Sequence, residues 1–339
     1  MRKIRIAQIG VNQYSHSGEI FHTLTKFPEL FEIAGYVLVE DERETCQRHL
    51  KWFEGYKELT LDEVLSDPTI EAVTVETDEI HLTKYALLAA EHGKHIHMEK
   101  PGGAGHADFE RLMDLVEKNQ TVFHVGYMYR YNPYIHELIE SVKRGELGEI
   151  HSVEAHMSRY DKKTTREWFA SFKGGMMFYL GCHLIDLVLQ IKGDPTRILP
   201  LNCTTGLDGV RTEDYGFAVL EYPEGVSFVK MTGAEIGGSK RRQLVVTGSK
   251  GSVEIKPLEA TIPKTHWRMH TERTVYLLGE DGHTVSRHEQ SEEFDRYETM
   301  MQSFAAMVRG EIENPYSYAY ERRLHKTVLL CCGADPDTI

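Results

Sequence analysis

No stretch of this 339-residue chain approaches the ~20 consecutive apolar residues that a membrane-spanning helix needs. A membrane is therefore not an expected partner. Cysteine is scarce and odd in number, and Cys46, Cys182, Cys203, Cys331 and Cys332 show no zinc-ribbon or thioredoxin spacing. That argues against a disulfide scaffold, and the expectation is a reduced, cytoplasmic protein. The opening MRKIRIAQIG lacks the apolar run of a secretory leader, so none is expected. Positive charge is in deficit, with 39 Lys+Arg against 52 Asp+Glu and a net charge of −13. Such a surface repels a phosphate backbone, so nucleic acid is not expected either. Repeats and low-complexity tracts are missing too. What remains, 41% hydrophobic and 27% charged residues, is ordinary globular composition, long enough for about two domains.

Residues 1–126 alternate strand and helix patterns. Ile4, Ile6 and Ile9 mark a strand ending at Gly10, and a helix over 17–27 is closed by Pro28. Strands follow at 31–39, 71–75, 94–98 and 121–125, with helices near 43–52, 81–92 and 104–119 between them. Strands separated by helices predict a parallel sheet covered by helices. Beyond residue 150 the texture changes. A helix-rich stretch (164–191) precedes longer alternating strands at 213–222, 226–234, 242–248 and 251–256, with YPEG and GSKG as turns. Two helices, 294–309 and 316–332, close the chain. The expected division is a dinucleotide-binding domain over 1–126 and a second, α+β domain with a large, mostly antiparallel open sheet over 127–339.

A strand ending in glycine before a helix is where a dinucleotide fold places its pyrophosphate, on backbone N–H groups and the positive end of the helix dipole. The usual G-x-G-x-x-G reads here Gly10-Val11-Asn12-Gln13-Tyr14-Ser15. Asn12 tolerates left-handed dihedrals, and Ser15 is small enough for close approach. The second strand ends at Val39-Glu40-Asp41. Glu40 there can bind the adenosine ribose hydroxyls and repel a 2′-phosphate, favouring NAD over NADP, with Arg43 close enough to soften the preference. The other reading of EDERE is a solvated charge run.

The fourth strand ends in HIHMEKPGG. Met98-Glu99-Lys100-Pro101, together with Val125-Gly126-Tyr127-Met128-Tyr129-Arg130-Tyr131-Asn132-Pro133, Gly174-Gly175 through Gly181-Cys182-His183-Leu184-Ile185-Asp186, and Thr247-Gly248-Ser249-Lys250-Gly251-Ser252, resembles four ordered motifs of the glucose–fructose oxidoreductase/inositol dehydrogenase/MocA family. The resemblance implies an N-terminal Rossmann domain, NAD(P), oxidation or reduction of sugars, inositols or related polyols, and homodimers or homotetramers built through the second domain's sheet. Independently of it, a lysine at the carboxyl end of a strand points into the ligand crevice of an open α/β sheet, where Lys100 can stabilise a developing alkoxide. Pro101 can fix its direction through a cis bond. His95 and His97 alternate on that strand and His92 lies near. No carboxylate or cysteine stands at ligand spacing, so they read as strand histidines and no metal is expected.

Residues 177–191 form an apolar stretch whose polar members Tyr179, His183, Asp186 and Gln190 follow i, i+4, i+7, i+11 spacing, one face of a buried helix. His183 suits a general base, and Asp186 can orient its ring. The alternative is a satisfied core histidine. The resemblance expects an aspartate at 179; a phenol of pKa about 10 donates or relays a proton instead. Thr77, Asp78, Glu79 and His81 follow the third strand, on the nicotinamide side by resemblance, where Asp78 replaces the usual proline. Glu99 and Arg130 are further cofactor candidates. Tyr127, Asn132, Tyr160 and Trp168, with Arg159 and Arg166, are candidates for the substrate side, although Trp168 suits core packing equally. The reading is an NAD-dependent oxidoreductase. Two other readings are a redox-neutral, NAD-using glycoside-cleaving enzyme and a non-catalytic dinucleotide- or sugar-binding regulator.

Overall fold

The computed structural model describes residues 2–263, 265 and 268–338. Its first unit is built on five strands, β1 (Ile4–Ile9), β2 (Phe31–Val37), β3 (Ala72–Val75), β4 (His95–Met98) and β5 (Phe123–Val125). They are all parallel, in the order β2-β1-β3-β4-β5. Ile4, Ile6, Ile9, Val73, Val75, Ile96 and Met98 are fully buried. Runs of apolar residues without alternation are what a parallel sheet covered on both faces requires. The crossovers carry α1 (Ser17–Lys26), α2 (Glu42–Thr45), α3 (Leu61–Ser66), α4 (Leu82–Glu91) and α5 (His106–Asn119). The order reverses between β1 and β3, so the crevice beyond their carboxyl ends is the ligand position of such sheets. Gly10 and Thr77 stand at those two ends.

The expected helix over 43–52 is corrected to one turn of α2 followed by a 3-10 turn at Leu50–Phe53. Two aromatic residues account for this. Phe53 packs on Phe21 with ring centroids 4.5 Å apart. The Trp52 indole lies so close to Gly18 of α1 that a Cβ there would stand 2.5 Å from it.

The second unit carries α6 (Pro133–Lys143), α7 (Lys163–Trp168) and α8 (Cys182–Lys192). Its main strands are β6 (Ile150–His156), β7 (Arg197–Pro200), β8 (Tyr215–Glu221), β9 (Val226–Thr232), β10 (Gln243–Gly248) and β11 (Gly251–Ile255). A three-stranded sheet of β12 (Ala260–Thr261), β13 (Arg268–His270) and β16 (Phe294–Asp295) accompanies two further long strands, β14 (Glu272–Leu278) and β15 (Thr284–Gln290). The eight-stranded sheet runs β15-β14-β11-β10-β6-β9-β8-β7, antiparallel throughout except for β6 beside β9. Alternate residues such as Ala218, Leu220, Val229 and Met231 are buried, the period-2 signature of a sheet with one covered face.

The expected unbroken second domain over 127–339 is also corrected. The first unit runs to Tyr127 and takes back Tyr297–His325 and the stretch from Pro336, while the second comprises Met128–Arg296 and Lys326–Asp335. Specific contacts hold the returning segment, which includes α9 (Glu298–Val308). Phe304 stacks on His124, Asn314 Nδ2 donates to Phe123 O (2.8 Å), Tyr318 Oη donates to Thr121 O (2.7 Å), and Arg322 pairs with Asp114 (2.8 Å). No helix among the described residues is long and apolar enough to cross a membrane.

Candidate active site

In the first unit the turn after β1 is held by its own side chains. Gly10 has φ +94°, and a Cβ there would sit 2.6 Å from Thr77 N, so glycine is required for the approach of the two strand ends. Asn12 N donates to Glu76 O (3.2 Å), and Asn12 Oδ1 accepts from Tyr14 N (2.8 Å). The Ser15 hydroxyl lies 3.0 Å from Asn12 O and 2.9 Å from Glu76 O. Gln13 borders a pocket of about 560 Å³ with Arg48, Lys51 and Trp52. The His16 side chain does not cap α1, and Ser15 Oγ accepts from Ser17 N (3.2 Å) at that helix start, whose positive dipole end faces the turn. Gly10 cradled against Thr77, then a helix start, is an arrangement that fits a dinucleotide.

Glu42 is the residue that sequence reasoning missed here. Its Oε2 accepts from Val11 N (3.0 Å) and Val39 N (3.1 Å), and its Oε1 accepts from Thr77 Oγ1 (2.8 Å). One carboxyl thus ties together the segments after β1, β2 and β3. Burial pushes it up to about 7, against the lowering effect of those hydrogen bonds. The protonated form is favoured in the fold, so this contribution is complete below about pH 4.5 and is lost as pH rises through about 7, by up to roughly 3 kcal/mol. Glu42→Gln is expected to flatten that part of the stability profile, as urea denaturation at about pH 5 and about pH 8 will show.

Glu40 follows β2 with φ +49°. Its carboxylate is engaged by Lys84 and by Tyr85 Oη (2.8 Å), whose hydrogen bonds hold it below the usual carboxylate range, and His81 Nδ1 stands 3.9 Å away. Asp78 Oδ1 accepts from Ile80 N (3.2 Å).

Lys100 is 1% exposed, with its Nζ 3.1 Å from Glu99 Oε1 and 3.9 Å from Glu79 Oε1. The Lys100–Pro101 bond is cis. Glu99 Oε2 lies 3.1 Å from Nδ1 of the partly exposed His16. Burial would raise Glu99, yet His16 and Lys100 pull it down to about 2. Burial pushes Glu79 up to about 8 and raises Glu76 well above the usual range. His97, driven by burial to about 4, is neutral, with Nδ1 2.8 Å from His124 Nδ1 and Nε2 3.5 Å from Glu76 Oε1. At neutral pH the lysine is therefore flanked by one ionised and one protonated carboxyl. Among the described residues no group of three His, Cys, Asp or Glu side chains is placed to hold a metal ion.

In the second unit His183 is 1% exposed, and its ring meets Tyr129 edge-on at 5.4 Å. Asp186 accepts from Arg130 Nε (3.1 Å) and Nη2 (2.8 Å) and from Gln190 Nε2 (2.9 Å). Met177–Gly181 is a π-helical turn leading into α8, so the single-helix stripe is corrected. Such a widened turn, with bonds from i to i+5, is a local irregularity typical of functional positions. Tyr179 packs beside Trp168 (5.1 Å) and Phe169 (5.7 Å), with Arg159 5.0 Å over its ring.

Several of the expected site residues make contacts within the protein. The Arg130 guanidinium donates to Asp186 through Nε and Nη2. Asn132 caps α6 through Tyr134 N and Ile135 N and donates to Leu258 O. Arg166, wholly buried, binds Asp161 O, Leu207 O, Asp208 and Asp214. Trp168 belongs to an aromatic cluster with Phe172. Tyr127 is buried, while Tyr160 is 53% exposed.

Residues 4–127 match the family model described as the oxidoreductase family with NAD-binding Rossmann fold, GFO/IDH/MocA. Residues 135–254 match the GFO/IDH/MocA C-terminal domain. The chain is 25% identical over 224 residues to the scyllo-inositol 2-dehydrogenase (NADP(+)) IolW of Bacillus subtilis (strain 168), covering 65% of this chain and 61% of that protein. It is 23% identical over 256 residues to myo-inositol 2-dehydrogenase of Thermotoga maritima, covering 74% and 72%. Its fold superposes on levoglucosan dehydrogenase, solved in complex with NADH and levoglucosan, with a TM-score of 0.76 at 17% identity over 98% of each chain.

Proposed function

We propose, from the premise that this chain belongs to the GFO/IDH/MocA family of oxidoreductases with an NAD-binding Rossmann domain, that it transfers hydride between a nicotinamide dinucleotide and a carbinol carbon of a sugar, inositol or related polyol. The observation that carries this reading is the buried Lys100 at the carboxyl end of β4, with Glu99 and Glu79 beside its ammonium. Gly10, Asn12, Gln13 and Ser15 would hold the pyrophosphate, Glu40 the adenosine ribose, and Thr77, Asp78, Glu79 and His81 the nicotinamide half. When bound, the nicotinamide ring supplies the hydride acceptor or donor.

The chain's own residues handle the proton and the charge. Lys100 binds the substrate oxygen and offsets the negative charge that develops on it. His183 takes the hydroxyl proton, within the range of an imidazole base. Glu99 links Lys100 to the partly exposed His16, a route by which protons exchange with solvent. NAD is the proposed cofactor, because a carboxylate stands at the end of β2. The outer face of the eight-stranded sheet, where Phe217 and Phe228 stack at 5.7 Å, is the proposed contact of a homodimer or homotetramer, which light scattering will check.

The test is a panel of neutral sugars, cyclitols, sugar acids and sugar phosphates with NAD and NADP in parallel, read by the absorbance of reduced nicotinamide. At least one member is expected to be oxidised, with the higher kcat/KM for NAD, and His183→Ala is expected to lower turnover by about 100-fold or more. No turnover on any member with either cofactor would refute the proposal.

A further inference from the structure

In the second unit a pocket of about 480 Å³ opens at the start of β10, walled by Lys240, Arg242, Arg296, Glu259, Ser239 and Thr261. That volume is within the ~300–1,000 Å³ of small-molecule sites. Its charge is unlike the rest of the molecule, with three cations facing one carboxylate in a chain of net charge −13. Glu259 Oε1 is contacted by Arg242 Nη1 and by Arg296 Nη2 (2.8 Å). Burial would raise the Glu259 carboxyl, but Arg296 and Arg242 hold it below the usual range, so it remains ionised. Among the described lining residues, three cationic side chains thus accompany one carboxylate. Arg242 is buried, and its Nε finds no hydrogen-bond acceptor among the described residues. A guanidinium in that condition is costly unless an acceptor arrives.

Tyr129 connects this pocket to the proposed base. Its Oη lies 3.4 Å from Arg242 Nη1, and its ring meets His183 at 5.4 Å. On the π turn, position 179 carries an uncharged phenol where the family resemblance expects a carboxylate, and the Arg159 guanidinium stands over that phenol. Loss of a negative charge there and a surplus of positive charge beyond Tyr129 both suit an anionic substrate.

We propose that the Lys240–Arg242–Arg296 pocket receives the oxyanion of an acidic sugar, a carboxylate or a phosphate, so that the substrate is a sugar acid or sugar phosphate rather than a neutral polyol. This rests on the reading of His183 as a substrate residue. Forked guanidinium contacts to carboxylate or phosphate give such recognition its geometry as well as its strength.

Calorimetric titration of the full-length protein with gluconate, glucose 6-phosphate, inorganic phosphate and sorbitol tests it. One of the two acidic sugars is expected to bind at least about tenfold more tightly than sorbitol, and which one does so identifies the anion. Lys240→Glu is expected to remove most of that advantage while leaving the melting temperature and dinucleotide affinity unchanged. Arg242→Gln is expected to remove all of it; should that variant misfold, Lys240→Glu, at an exposed position, still decides the question. Equal binding of sorbitol and the acidic sugars, an advantage untouched by Lys240→Glu, or inorganic phosphate binding as tightly as the sugar phosphate would each overturn the proposal. Oxidation of neutral polyols without an anion preference would overturn this pocket and leave the enzymatic reading intact. Anion binding without turnover on any sugar would do the reverse.

Discussion

Lys100→Ala is expected to lower turnover by at least about 100-fold on any polyol the protein oxidises, with dinucleotide affinity retained. The side chain is enclosed, and its ammonium stands against Glu99 and Glu79. A truncated residue can neither hold the substrate oxygen nor offset its charge, and water in the vacated space is a poor substitute for a fixed cation in a low-dielectric site. The loss should appear in kcat more than in KM, because the interaction strengthens as charge develops on the oxygen. Steady-state absorbance of reduced nicotinamide measures kcat and KM, and quenching of protein fluorescence by the dinucleotide measures the dinucleotide affinity. Undiminished kcat would remove Lys100 from the mechanism.

The same variant changes the electrostatics beneath the site. Without Lys100, Glu99 keeps its hydrogen bond to His16, and Glu79 loses the group that most opposes its burial. In the wild type Glu79 titrates at about 8, above its unfolded value. Its contribution to stability is therefore full below about pH 4.5 and is lost as pH rises through about 8. Lys100→Ala should move the upper end of that window to still higher pH.

Arg130→Met carries the largest expected effect on stability, a loss of about 3–5 kcal/mol. Arg130 and Asp186 are each 1% exposed at the side chain and meet through two guanidinium nitrogens. Removing one partner leaves a buried carboxylate without its fork, which costs far more than the intact pair contributes. Asp186 lies three residues from His183 on α8, so the variant should also reduce turnover by disturbing that helix. A double variant, Arg130→Met with Asp186→Leu, should recover much of the stability and none of the activity. Thermal denaturation followed by circular dichroism checks the first part, and the polyol assay checks the second.

The first unit was largely legible because its signals are local. Ile4, Ile6 and Ile9 followed by Gly10, and HIHM followed by Glu99-Lys100-Pro101, declare a strand and its end within ten residues. Features that depend on distant partners were not legible. Glu42 lies within EDERE, which reads as a solvated charge run; its burial follows from the pairing of β1, β2 and β3, which brings Val11 N, Val39 N and Thr77 Oγ1 around it. Arg130 and Asp186 are 56 positions apart and share no pattern. Tyr179 was placed by a 3.6-residue period, and the π turn breaks that period at this point. The amphipathic pattern of α9 marks a buried face without saying which sheet receives it.

The return of Tyr297–His325 to the first unit bears on how the polypeptide is made. Phe304, Asn314 and Tyr318, which cover His124, Phe123 and Thr121, leave a ribosome well after the strands they cover. At ~5–20 residues per second, the half-built nucleotide domain waits on the order of ten seconds with that surface bare while the intervening segment is translated. A fragment ending at Tyr127 reproduces this waiting state permanently, so a minimal dinucleotide-binding module would have to be spliced from two separate stretches, Met1–Tyr127 and Tyr297–His325.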